Sequence, residues 1–307
     1  MRLVPEEIER YRNVIGWQSR FSRFIVRSSR ICRETLGVDL TQIRVLEICA
    51  HYPMESIGFY CEKLSLRPST ASMALKSLEK YGYAERVPSS KDARSVCVCV
   101  TEAGYGLFTQ AKKTTRLIAQ VIEEDLVPGS YEAIQGKLDS GGIHGFLEKV
   151  VNTRIIGFDK ACDDLRLELE GDEGYQLYRA SLSLECIANL INVLGRVWND
   201  FGLNMCSGRI LGHVFLKEER KVDSVGVSEL RDVLLMQPAQ ISAGIMKLEN
   251  EGLAIRMKGS EDKRTTMISL TRKGRKLALS SLKKNYEKLE ELSPGLADVD
   301  PSLCYRN

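Results

Sequence analysis

With 307 residues, 43% of them apolar, and a formal net charge of +3, the chain holds enough material for two ordinary cores and is neither a disordered polyelectrolyte nor a collagen-like fibre. No apolar run approaches the roughly 18–20 residues of a membrane span, and the opening MRLVPEEI lacks a signal-peptide core, so a cytoplasmic protein without membrane contact is expected. Nine cysteines without any C-x-x-C spacing read as reduced, mostly buried thiols rather than as a disulfide framework or a metal site.

Taken in order, residues 5–36 have the apolar spacing of one long helix (Ile15, Phe21, Phe24, Ile25, Ile31), decorated by arginines and ended by Gly37. Cys32 lies on it. Short helices follow over 40–51 and 56–66, then a third from Pro68, a residue tolerated in a first helical turn, to Tyr81, ended by Gly82. Two short strands, 84–87 and 96–100, enclose a polar tip, Ser89–Ser95, and Thr101 is placed to cap a helix running to about residue 126. Shorter helical stretches over 131–138 and 143–164 form a connector. Between residues 117 and 175 acids outnumber bases thirteen to five.

The chain then repeats itself. Residues 173–201 restate the long first helix and 205–216 the second, with Arg209-Ile210-Leu211 matching Arg44-Val45-Leu46 at an offset of 165. From Pro68 and Pro238 onward the two copies run without a gap for about forty residues at an offset of 170, so about five residues are inserted near 217–223, read as a loop. The second copy has its own helix from Pro238, ended by Gly252, strands 254–257 and 266–270, tip 259–265, and a post-tip helix 272–292. Its last fifteen residues are too few and too broken to restate the closing helices of the first copy. The expected domains are 1–170 and a truncated 171–307.

Charge follows the repeat. Nine cations face four anions between Arg67 and Arg116, and nine face four again between Gln237 and Lys276. Two basic modules joined by an acidic connector suit a polyanion touched at two places.

A helix, a hairpin with Asp-x-Arg at its tip (Asp92-Ala93-Arg94; Asp262-Lys263-Arg264), and Thr-x-x-Gly opening the next helix (Thr101, Gly104; Thr271, Gly274) resemble the winged helix-turn-helix of the multiple antibiotic resistance regulator (MarR) family. The resemblance implies a mainly α fold with small β-hairpin wings, double-stranded DNA as partner, and transcriptional regulation, most simply repression. Family members carry one such unit and form homodimers; a chain with two implies tandem winged-helix domains forming an intramolecular pseudodimer, a monomer on DNA.

In such a unit the N-terminal half of the recognition helix enters the major groove, where polar side chains reach base edges and phosphates. The candidates are Ser69, Thr70, Ser72, Met73 and Lys76 in the first copy, and Gln237, Gln240, Ser242, Ala243 and Lys247 in the second. Gln240 suits bidentate pairing with adenine, while each Ser and Thr serves equally well as a helix cap. Arg94 and Arg264 fit the minor groove, steadied by Asp92 and Asp262, with Lys91 and Lys263 beside them. The family's effector pocket implies Trp17, Phe21, His51 and Tyr52 as candidates for a small-molecule effector, although such aromatics are more often core. Only three histidines occur, with no G-x-S-x-G, phosphate loop or H-E-x-x-H, so neither enzymatic activity nor a cofactor or metal is expected. The alternative is a winged-helix scaffold that binds protein partners.

Overall fold

The computed structural model describes residues 3–88, 96–125, 187–259, 265–292 and 294–303. They fall into two compact units that alternate along the sequence: an inner unit of residues 24–125 with 187–192, and an outer unit of residues 3–23 with 193–303. The expected boundary near residue 170 and the connector lie outside the described residues.

The first helix, α1 (Pro5–Leu36), contributes its start to the outer unit and its end to the inner one. Within the inner unit follow α2 (Leu40–His51), α3 (Ile57–Lys63), α4 (Pro68–Lys80), β1 (Ala84–Pro88), β2 (Val96–Val100) and α5 (Glu102–Asp125). Asp39 opens α2 with a capping box: its carboxylate accepts from Gln42 N (2.9 Å), and Gln42 Oε1 accepts from Asp39 N (2.6 Å). Ser56 caps α3, and β1 pairs antiparallel with β2, Ala84 opposite Val100. A bridge between Ser56 and Cys97 brings a third segment beside β2 that the sequence did not announce. The core gathers Phe24, Leu46, Tyr60, Leu75, Leu78, Val98, Leu107 and Ile118.

The outer unit repeats this plan. A helix over residues 187–200 (α6), which starts in the inner unit and ends in the outer, leads to α7 (Met205–Glu219), β3 (Val225–Gly226), α8 (Val227–Leu234), α9 (Pro238–Asn250), β4 (Ala254–Lys258), β5 (Thr266–Leu270) and α10 (Arg272–Leu292). The sheet order is β3-β5-β4, and short 3-10 turns follow at Leu296–Asp298 and Pro301–Leu303. The insertion expected as a loop is instead partly helical. It carries α7 on to Glu219, and Glu218 accepts from Leu270 N (2.9 Å) while pairing with Arg275 (2.7 Å), bracing β5 and α10.

The Thr-x-x-Gly motif has one physical explanation in both units. Thr101 Oγ1 accepts from Gly104 N (3.1 Å) and donates to Gly82 O (2.6 Å); Thr271 does the same with Gly274 N (3.0 Å) and Gly252 O (2.7 Å). One hydroxyl thus ties the start of the post-wing helix to the end of the recognition helix. Glycine is required three residues on because a Cβ there would overlap the carbonyl oxygen of Tyr83 or Leu253.

Candidate nucleic-acid interface

Each recognition helix buries one face and offers the other. In α4 the buried face is Ala71, Ala74, Leu75 and Leu78; in α9 it is Ile241, Gly244, Ile245 and Leu248. Opposite these, Ser69, Met73 and Lys76 are exposed with Thr70 and Ser72 half-buried, and Gln237, Gln240, Ser242 and Ala243 are exposed with Lys247 half-buried. The positions expected to read DNA therefore share an outward face within each unit.

Two of them carry a second duty. Gln240 Oε1 accepts from Gln237 N (3.0 Å), which closes the first turn of α9, so its amide must leave this cap before it can pair with a base. Lys247 pairs with Glu251 one turn on (2.6 Å).

The wings are fixed by an ion pair present in both copies: Arg86–Glu79 and Arg256–Glu249, each 3.1 Å, join the first wing strand to the recognition helix. These arginines were counted with the basic modules, but they aim the hairpin. Lys91, Asp92, Arg94, Asp262, Lys263 and Arg264, the tip candidates, lie outside the described residues.

The four effector candidates divide between the two units. Trp17 and Phe21 belong to the outer unit, His51 and Tyr52 to the inner. Trp17, 1% exposed, donates its indole N–H to Leu296 O (3.0 Å) and Val299 O (3.1 Å), so it anchors the 3-10 turn at Leu296–Asp298, and its ring lies 5.2 Å from Phe21. His51 packs edge-on against Phe108 and Tyr52 against Phe59.

The outer unit instead contains a cavity of about 430 Å³, lined among others by Arg12 and Arg20 of α1, His213, Lys217 and Arg220 at the end of α7, and Asp300. Arg12 pairs with Asp300 (3.0 Å), Lys217 with Glu229 (2.7 Å), and Arg220 with Glu9. Burial lowers the pKa of His213, opposed by Glu229 (3.5 Å) and reinforced by Lys217 and Arg220. A buried histidine with a depressed pKa is held neutral in the folded state, so its contribution to stability is complete above its ordinary value of 6.5 and falls as pH drops from there through its folded value. Glu229, whose pKa is also lowered, adds a second loss below its ordinary 4.5. Urea unfolding from pH 7.5 to 5.5 should show decreasing stability, with the part between pH 6.5 and 5.5 removed in His213→Leu.

Sequence reasoning missed a buried cation in each copy. Arg209, 3% exposed, donates to Met205 O (3.3 Å) and Leu234 O (3.4 Å), and Arg44 donates to Asn189 (3.2 Å). Their alignment at one repeat position was the available signal. Burial also pushes the Cys32 thiol to about 11 and the Cys49 thiol to about 12, leaving both protonated at neutral pH, which disfavours Cys32 as a redox sensor. Among the described residues no cluster suited to a metal occurs, and no helix is long and apolar enough to cross a membrane.

In comparison with known proteins, residues 38–96 match the MarR family and residues 209–274 match the winged helix DNA-binding domain. No curated protein matches the chain. Among solved structures, a MarR transcriptional regulator from Methanosarcina mazei Go1 is 22% identical over 36% of this chain and 79% of its own, with a TM-score of 0.31. Streptococcus pneumoniae FabT in complex with DNA is 22% identical over 42% of this chain and 91% of its own, with a TM-score of 0.33.

Proposed function

We propose, from a chain that carries a MarR family domain followed by a second winged helix DNA-binding domain, that the protein is a DNA-binding transcriptional regulator. It acts in the cytoplasm as a repressor without catalytic activity. One chain supplies both recognition helices to one operator as an intramolecular pseudodimer. The observation that carries this reading is the pair of outward recognition faces, α4 and α9, which differ where they would read sequence: Thr70 aligns with Gln240, Met73 with Ala243, and Lys76 with Met246. A homodimer reads the same half-site twice, whereas this chain reads two unlike half-sites with fixed polarity. Selection of sites from random DNA, with light scattering of the complex, tests it: a perfect palindrome bound by two chains refutes the pseudodimer.

Wing arginines supply the sequence-independent part of the affinity. Arg94→Ala and Arg264→Ala should each weaken binding to all duplexes and flatten the plot of log affinity against log salt by about one unit. A double variant that binds duplex as the wild type does would remove the wings from the interface.

For an effector, Trp17, Phe21, His51 and Tyr52 stand as the candidates, and the outer-unit cavity is a further place for one. Its walls carry both signs of charge, Arg12, Arg20, Lys217 and Arg220 with Asp232 and Asp300, and Arg12, Lys217 and Arg220 already pair with Asp300, Glu229 and Glu9.

A further inference from the structure

The two most exposed large apolar side chains among those described are methionines, and both stand on the outward faces of the recognition helices: Met73 at 73% and Met246 at 57%. An exposed methionine leaves its thioether in water and gains nothing from the core of its own unit, since Ala71, Ala74, Leu75 and Leu78 fill that face of α4 and Ile241, Gly244, Ile245 and Leu248 that of α9. Their exposed neighbours are Ser69 and Lys76 on α4, and Gln240, Ser242 and Ala243 on α9. Hydrogen-bonding residues, joined on α9 by Ala243, thus flank one unbranched, polarisable group with no donor and only a weak acceptor.

We propose that Met73 and Met246 are specificity-determining residues that recognise thymine through contact of the thioether with the 5-methyl group. This rests on the DNA-binding reading above. In the major groove the thymine methyl is the one apolar feature that a base edge presents, so an apolar side chain between polar ones selects T at its position and leaves the donor–acceptor code to its neighbours. The two methionines do not occupy equivalent places. Met73 aligns with Ala243, and Met246 with Lys76, one turn further along the helix. Three residues of helix rise about 4.5 Å, slightly more than one base-pair step of about 3.4 Å. The thymine read by α9 is therefore offset by about one base pair from the thymine read by α4, which gives the unlike half-sites a chemical identity.

The test is a uracil scan of the selected operator, in which each thymine in turn loses only its methyl group. One thymine per half-site should weaken binding by about fourfold when replaced by uracil, the effect of removing one buried methyl. In Met73→Ala the sensitive thymine of one half-site should become indifferent to uracil while that of the other stays sensitive. Met246→Ala should do the converse, and Met73→Leu, which keeps an apolar side chain, should keep the sensitivity. Both methionines are exposed, so truncation leaves the helix content measured by circular dichroism unchanged. A scan flat within twofold on an operator that is bound specifically, or sensitivity that survives both alanine variants, overturns the methionine assignment and leaves the regulator reading standing. Absence of any salt-dependent, sequence-selective binding overturns both.

Discussion

Gly104→Ala and Gly274→Ala will each destabilise their own unit by about 3 kcal/mol or more, although alanine is the better helix former by about 1 kcal/mol. The sign is set by what the new methyl meets. At Gly104 it overlaps the carbonyl oxygen of Tyr83, and at Gly274 that of Leu253. These are backbone atoms held at the junction of recognition helix and wing by the Thr101 and Thr271 bridges, and they cannot swing aside as a side-chain end would. Urea unfolding should show Gly104→Ala lowering the transition of the inner unit and Gly274→Ala that of the outer. A stabilised variant would mean that the post-wing helix does not start against the hairpin. Movement of that helix also shifts the wing, so loss of DNA affinity should accompany loss of stability.

Trp17→Ala is the second large effect, on the order of 3–5 kcal/mol for emptying a buried indole site. Trp17→Phe separates the contributions: it keeps most of the volume but leaves Leu296 O and Val299 O without the indole donor, at about 1–3 kcal/mol. If Trp17 only walled an effector pocket, both variants would unfold within about 0.5 kcal/mol of wild type, as surface changes do. Asn13 supports the same segment, donating to Ala297 O (2.9 Å), so Asn13 and Trp17 changes should be non-additive.

Punctuation in the sequence explains how much of the fold was legible there. Pro68, Gly82, Pro238 and Gly252 bound the recognition helices within a residue or two because proline and left-handed glycine act locally, and the two glycines have φ of 73° and 66°. Thr101 and Thr271 were legible for the same reason. Membership was not legible. The apolar stripe of residues 5–36 says that a helix is buried, but periodicity does not name the partner, and the stripe divides between the two units at Arg23. Pairings across elements were equally silent: Arg86 and Arg256 count as basic in any sum of charge, and only the fold reveals Glu79 and Glu249 beside them. Gln240 has the chemistry of an adenine reader and of a helix cap, two roles that a residue type cannot separate. Arg44 and Arg209 were hidden because a guanidinium reads as surface, whereas these two are buried.

The divided first helix also has a consequence during synthesis. A ribosome adds about 5–20 residues per second, and residue 193, where the next described part of the outer unit begins, is made 170 positions after residue 23, so about 10–30 seconds separate them. Through that interval Val14, Ile15 and Trp17, all buried in the finished protein, have no completed core to enter. The start of α1 is then apolar surface on a nascent chain that a chaperone can hold. The wait is set by the order of segments in the gene rather than by the stability of either unit.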